Sequence, residues 1–243
     1  ICGDEIFCSA KRTLHLLNHY FDIGCDLGSV LFGERYYSNN QIIDFFNYLT
    51  SNTKLKILVH EMKLQNGAGG PDINWPIDAL SSILKNDSII AIKEDSKDDD
   101  FLKSIGDQVN NSHFVISGGG MKRWRCLQRS HNYQSWLNGI GVVFPEIETF
   151  YYQCYLSNEY EKCSYIEEHI EAPFFDLLNN TYWHQLTKAG LAWRGVMEYH
   201  ERLPMVSCTS KQYEYIHNSL EIISSNIQNI GCNLIPSISL KSK

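Results

Sequence analysis

The stretch Ser88–Asp100, SIIAIKEDSKDDD, carries the reading that decides the fold. Ile89 to Lys93 begins with four apolar residues in a row and ends on a lysine. A strand apolar on consecutive positions is buried on both faces, as in a parallel sheet covered by helices. The acids that follow have a separate explanation. Asp98, Asp99 and Asp100 fall in the first turn of a helix, where carboxylates complement the helix dipole. A metal site there is disfavoured, because adjacent acids do not all point the same way. A buried strand feeding directly into a helix is the repeating unit of an α/β protein.

The same alternation extends in both directions from this stretch. Upstream, CSAKRTLHLLNHYFDIG has helical spacing at Leu14, Leu17, Tyr20 and Phe21, with Ser9 as N-cap and Gly24 at its end. LGSVLF predicts a strand, NNQIIDFFNYLTSN a helix with Ile42, Phe45, Phe46 and Leu49 on one face, and LKILVH a strand. GAGGPD is a loop, and WPIDALSSILKN is a helix with Pro76 near its first turn, where a missing N–H costs nothing. Downstream, DDDFLKSIGDQV predicts a helix, HFVIS a strand, GGGMKRWRCLQR a helix and SWLNGIGVV a strand. Two architectures fit: a (β/α)8 barrel or an open doubly wound sheet. No GxGxxG follows the early strands, so a dinucleotide-binding sheet loses ground.

After Phe144 the alternation stops. EIETFYYQCYLS, EYEKCSYIEEHIEAPFFDLLNN, TYWHQLTKAGLAW and SKQYEYIHNSLEIISSNIQNI all read as helices. The expected fold is therefore α/β, a (β/α)8 barrel lacking its first strands, with additional C-terminal helices. The barrel portion is placed at residues 1–156, from about the third strand to the eighth helix, and the helical extension at 157–243. The opening ICGDEIF is apolar and strand-like, which suggests that earlier strands precede it.

Bulk properties narrow the function. The chain has 243 residues with 43% apolar and 20% charged residues, the balance of a soluble globular protein. No apolar run is long enough to span a bilayer and no leader pattern is present, so the cytoplasm is the expected location. A net charge of −7 argues against a nucleic-acid binder, which needs a basic face. None of the eight cysteines shows CxxC spacing, so zinc or iron–sulfur ligation is not expected and free, mostly buried thiols are.

In a parallel barrel the active site lies where the strands' C-terminal ends meet the following loops. The residues delivered there are Glu34 to Tyr37, His60 with Glu61, Lys93 with Glu94, Ser117 with Gly118, and Gly139 to Phe144. A lysine desolvated at the mouth of an apolar strand is favoured as the neutral amine, a nucleophile toward a ketone or aldehyde. The iminium formed is an electron sink. Alternatively, the Lys93 stem packs while its head reaches water or pairs with Glu94 or Asp95. His60 is a candidate general acid/base, or a hydrogen-bonded rim histidine. Glu61 orients the His60 ring or is solvated. SGGGMKRW, with Gly118 to Arg123, is either a phosphate cradle at a helix start or a tight turn into a helix. The aromatics of FYYQCY and YWH read as packing faces or a subunit interface.

With IIAIKEDS, then FVISGGG, then NGIGVVFPE, the chain resembles the dihydrodipicolinate synthase / N-acetylneuraminate lyase family. ERYYSNNQIIDFF resembles the double-tyrosine segment after that family's fourth strand, and HERLPM the start of its last helix. The resemblance implies a (β/α)8 barrel with three extra C-terminal helices and a Schiff-base lysine acting on pyruvate or a related 2-keto acid or sugar acid. It implies no metal or organic cofactor, and a homo-oligomer, dimer or tetramer. Carried over, Lys93 is the Schiff-base lysine, Tyr37 the tyrosine that relays protons across a subunit interface, and Gly118 and Gly141 backbone positions lining the site; Glu61, beside His60, is a substrate-binding candidate from its place at the strand end alone.

The departures are specific. Tyr-Asn-x-Pro after strand five is here HEMK, so His60 replaces the relay tyrosine. The carboxylate-binding arginine falls near Gln65. The Gly-Thr-Thr/Ser-Gly-Glu segment after strand two would lie before Ile1. The expected function is a Schiff-base lyase, aldolase or synthase with Lys93 as nucleophile and His60 as general acid/base. The alternatives are a catalytically silent relative that binds a small ligand, or a phosphate-binding barrel enzyme using Gly118 to Arg123.

Overall fold

The structure is a computed structural model that describes residues 2–3 as backbone, together with residues 9–109, 112–128, 130–131 and 133–235. The rest of ICGDEIF, residues 1 and 4–7, and Cys8 lie outside the described residues. The chain forms two compact units, Ile1–Leu137 and Asn138–Lys243. That division precedes the 156/157 boundary expected from the sequence.

In the first unit strand and helix alternate throughout: β1 (Cys2–Gly3), α1 (Ala10–Asp22), β2 (Leu27–Leu31), α2 (Asn39–Asn52), β3 (Lys56–Glu61), α3 (Ile77–Ile83), β4 (Ile89–Glu94), α4 (Asp99–Val109), β5 (Phe114–Ser117), α5 (Gly120–Leu127) and β6 (Ser135–Trp136). Among the described residues these strands make one parallel sheet in chain order, β1 to β6. Parallel neighbours in sequence order require crossovers of one hand, so the helices cover one face of the sheet. The observed sheet is an open sector and does not close into a barrel.

Local sequence explains the elements. The Ser9 side chain accepts from the Arg12 N–H and starts α1 as expected, and Gly24 leaves the helix at a φ of 88°. Helix α2 covers the full predicted span and buries Ile42, Phe46 and Leu49. Gly28 of β2 has a packing reason: a Cβ there would lie 2.4 Å from Leu17 Cδ2 of α1. Its absence lets helix and strand approach. The core between sheet and helices holds Val30, Ile57, Val59, Ile92, Leu80, Leu102 and Ile105, all fully buried.

One irregularity has large effects. Ile57 pairs with Ile89, but Leu58 pairs with Ala91, so Ile90 is an extra residue bulged out of the β3–β4 ladder. Ile90 is accordingly exposed.

The second unit is helical: α6 (Ile140–Val143), α7 (Pro145–Leu156), α8 (Tyr160–Ile166), a π turn (Glu167–Glu171), α9 (Ala172–Asp176), a 3-10 turn (Leu177–Asn179), α10 (Trp183–Trp193) and α11 (Ser210–Asn229). One expectation is corrected here. SWLNGIGVV is strand only at Ser135–Trp136, because Asn138 Oδ1 accepts from the Ile140 N–H and turns the chain into α6. The Asn-Gly pair is a turn signal inside an apolar run. The helix expected over EYEKCSYIEEHIEAPFFDLLNN runs without a gap from Tyr160 to Asn179, with a π turn just before Pro173, which has no N–H to give to the ladder, and a 3-10 turn at its end.

The thiol expectation also needs correcting. Cys126, Cys154, Cys163, Cys208 and Cys232 are free, but Cys25 is disulfide-bonded. Among the described residues no helix is long and apolar enough to cross a membrane.

Candidate active site

Strand register assembles the candidate site. Leu31, His60, Lys93 and Ile116 lie side by side across β2 to β5. Side chains alternate along a strand, so the next residues, Glu61, Glu94 and Ser117, face the other way. The first row is partly open to solvent, while the second is fully buried.

Lys93 Nζ lies 2.8 Å from His60 Nε2 and 3.3 Å from Asp95 Oδ2, and His60 Nε2 lies 3.4 Å from the same Asp95 oxygen. The three side chains are 13%, 22% and 24% exposed for Lys93, His60 and Asp95. A lysine ammonium only donates: with the His60 proton on Nε2 the ring donates to Asp95, and with it on Nδ1 Lys93 donates to both His60 and Asp95. The second arrangement leaves His60 Nε2 placed to take a proton from Lys93. Burial pushes the Asp95 carboxyl up, but the His60 hydrogen bond and then the charge and hydrogen bond of Lys93 outweigh it. The net effect holds Asp95 below its ordinary range, as a carboxylate. The lysine head therefore sits in a polar triad and not in the apolar mouth that the strand sequence suggested.

The buried row has a different task. Glu61, expected to orient His60 or be solvated, is fully buried, and its Oε2 accepts from the backbone N–H groups of Asp95 at 3.2 Å and Ser96 at 3.3 Å. Burial, the leading cause, together with the neighbouring carboxylates of Glu94 and Asp95 pushes the Glu61 carboxyl up to about 7, against the opposing pull of the two N–H bonds. Glu94, also fully buried, accepts from Arg123 Nη1 at 2.6 Å and from the Lys97 N–H at 2.6 Å. The tight loop that this requires puts Lys97 at a φ of 58°. Asp98 Oδ1 then accepts from the Asp100 and Phe101 N–H groups and caps α4.

The other expected site residues fall as follows. Gly118 donates its N–H to the Glu94 carbonyl at 2.7 Å, and its own carbonyl accepts from Arg123 Nη1 at 2.8 Å. A Cβ at Gly118 would stand 2.7 Å from the Glu94 carbonyl oxygen and 2.9 Å from Asp95 Oδ1, so this close approach needs glycine. Gly119 and Gly120 begin α5 at φ of 86° and 91°. Arg123, the charge of the expected phosphate cradle, is turned back onto Glu94, Asp99 and the Gly118 carbonyl. Tyr37 is 68% exposed, with its ring over Gly67 and no hydrogen-bond partner for its hydroxyl among the described residues. Gly141 lies in α6 of the second unit, where a Cβ would meet Glu148 at 2.9 Å.

The structure thus brings Lys93, His60 and Asp95 together, with Gly118 against Asp95, and sets Glu61 behind them. Asp95 entered the sequence reading only as a possible ion-pair partner of Lys93, and the Arg123–Glu94 pair was absent from it. The available signal was strand parity. Residues one step after His60 and Lys93 must face the helices, where a buried acid needs a partner.

No protein-family model matches the sequence, and no curated protein is similar to it. Solved structures are similar. A dihydrodipicolinate synthase from Thermotoga maritima superimposes with a TM-score of 0.77 at 21% identity, over 91% of this chain and 74% of that one. The sialic acid aldolase of Ruminococcus gnavus gives 0.79 at 12% identity, over 91% and 72%. The fold is that of the dihydrodipicolinate synthases and sialic acid aldolases. A third similar structure is the chloride-inhibited dihydrodipicolinate synthase of Acinetobacter baumannii complexed with pyruvate, at 0.75 and 15% identity, over 89% of this chain and 72% of that one. This chain therefore holds the (β/α) repeats and helices of that fold at low sequence identity.

Proposed function

We propose that this chain is a divergent member of the dihydrodipicolinate synthase / N-acetylneuraminate lyase family, a Schiff-base lyase, aldolase or synthase acting on a 2-keto acid or sugar acid through Lys93. The observation that carries the reading is the 2.8 Å contact between Lys93 Nζ and His60 Nε2 at adjacent strand ends. His60 Nε2 accepts a proton from the ammonium, and the freed amine attacks the substrate carbonyl carbon. The carbinolamine then loses water, with the proton on His60 returned to the departing hydroxyl, and leaves an iminium that accepts the electron pair of an adjacent broken C–H or C–C bond. Asp95 holds the charge of whichever partner carries the proton. The pyruvate bound to the Acinetobacter enzyme supports a 2-keto acid as the substrate class.

Tyr37, exposed and with a free hydroxyl among the described residues, fits a proton relay completed by a second copy in a homo-oligomer. The engagement of Arg123 by Glu94 and Asp99 weighs against a phosphate-binding enzyme.

The test is reductive trapping. Incubation with pyruvate and a panel of longer 2-keto acids and borohydride is expected to add the reduced keto acid to Lys93, located by peptide mass. Lys93→Arg is expected to abolish the adduct. No modification of Lys93 across the panel would overturn the reading in favour of a silent, ligand-binding relative.

A further inference from the structure

Glu61 has no role in the proton path just described, yet it is a fully buried carboxyl directly behind it. Its Oε2 holds two successive backbone N–H groups, those of Asp95 and Ser96, at 3.2 and 3.3 Å. Its Oε1 has no partner among the described residues. Asp95 is the residue whose Oδ2 touches both Lys93 and His60. We propose that Glu61 is a positioning residue, whose carboxylate pins the Asp95–Ser96 backbone and thereby aims the Asp95 side chain at the Lys93–His60 pair. The proposal rests on the Schiff-base reading for its functional consequence, but its geometry stands without it.

A carboxylate accepts two N–H bonds on one oxygen more strongly than a neutral carboxyl does. The state of Glu61 therefore sets how firmly the loop is held. The charged groups facing it are acids: Glu94 on β4 and Asp95 on the loop after β4. The cations of this network are committed elsewhere, Arg123 of α5 to Glu94 and to Asp99 of α4, and Lys93 to Asp95. With burial and two acids against it and only backbone dipoles for it, the Glu61 carboxyl titrates near neutrality, at about 7. Above that pH the loop is pinned, and below it the hold loosens.

Two readouts separate this proposal from the reaction. In the unmodified protein, the amide resonances of Asp95 and Ser96 are followed by NMR from pH 5 to pH 9. They are expected to titrate together with a midpoint near 7, and that titration is expected to vanish in Glu61→Gln. Amides of Asp95 and Ser96 that show no common midpoint in the unmodified protein overturn the proposal, whether or not any keto acid reacts. The second readout is the rate of borohydride-trapped adduct formation at Lys93 against pH. The unmodified protein is expected to show an inflection at the same midpoint, and Glu61→Gln to form the same adduct without it. An unchanged inflection in Glu61→Gln makes Glu61 a structural group only and overturns the positioning role. Absence of any adduct in the unmodified protein defeats the Schiff-base reading and leaves the amide titration to decide the pinning of the loop.

Discussion

At the scale of single residues, the site turns on which side of a strand each side chain takes. His60 and Lys93 face the open side, and Glu61 and Glu94, one position later, face the helices. Lysine followed by glutamate suggests an ion pair in sequence, and the fold makes that pair impossible within the strand. Lys93 instead turns to Asp95, two residues on, and Glu94 to Arg123. Asp95 carries a pH-dependent share of stability. Its carboxyl sits below its ordinary value of 3.8, so the stabilisation is full above that value and lost as pH falls through the depressed native one. Asp95→Asn is therefore expected to lower the unfolding free energy by about 1–2 kcal/mol at pH 7. The gap should close in denaturation experiments at the acid end, where wild-type Asp95 is itself protonated.

At the scale of elements, the clearest coupling is between the end of β4 and the first turns of α5. Arg123 reaches back to the Glu94 carboxylate, to the Gly118 carbonyl and to Asp99 at the start of α4, and so ties three elements together. Breaking a buried ion pair by removing one partner costs about 3–5 kcal/mol, because the remaining charge is left unpaired. Arg123→Met should show a loss of that order by chemical denaturation at neutral pH, and a second change, Glu94→Gln, should recover much of it.

Most elements were legible because apolar periodicity and helix-start signals agree along this chain, as in α2 with its Ile42, Phe46 and Leu49 stripe. Legibility failed where one residue overrides the pattern. Asn138 converts an apolar run into α6, and a π turn just before Pro173 interrupts the α-helical ladder of a run that stays helical throughout. In the site, Lys93 and His60 could be found from strand ends alone. The place of Asp95 depends on the path of a loop, and the task of Glu61 on backbone N–H groups that sequence pattern does not reveal.

At the scale of the whole molecule, charge sets solution behaviour. The net charge of −7 and a pI near 5.7 describe a surface without the basic excess that polyanions require. The protein is expected to bind an anion exchanger at pH 7.5, to leave duplex DNA or RNA unshifted in a gel at 150 mM salt, and to be least soluble near pH 5.7. A gel shift at that salt would show a localised basic face that the totals conceal.

The bulge at Ile90 acts as a frameshift in space. Continued without interruption from the Ile57–Ile89 pair, the ladder would set Ile92 opposite His60 and Lys93 opposite Glu61. The lysine would then share a side with a buried acid and be sealed beneath the helices as half of a structural ion pair. One surplus isoleucine, placed three strand positions before Lys93, changes odd to even for everything downstream of it. Whether this sheet leaves the lysine amine partly open or hides it is thus decided by a residue with no chemistry of its own.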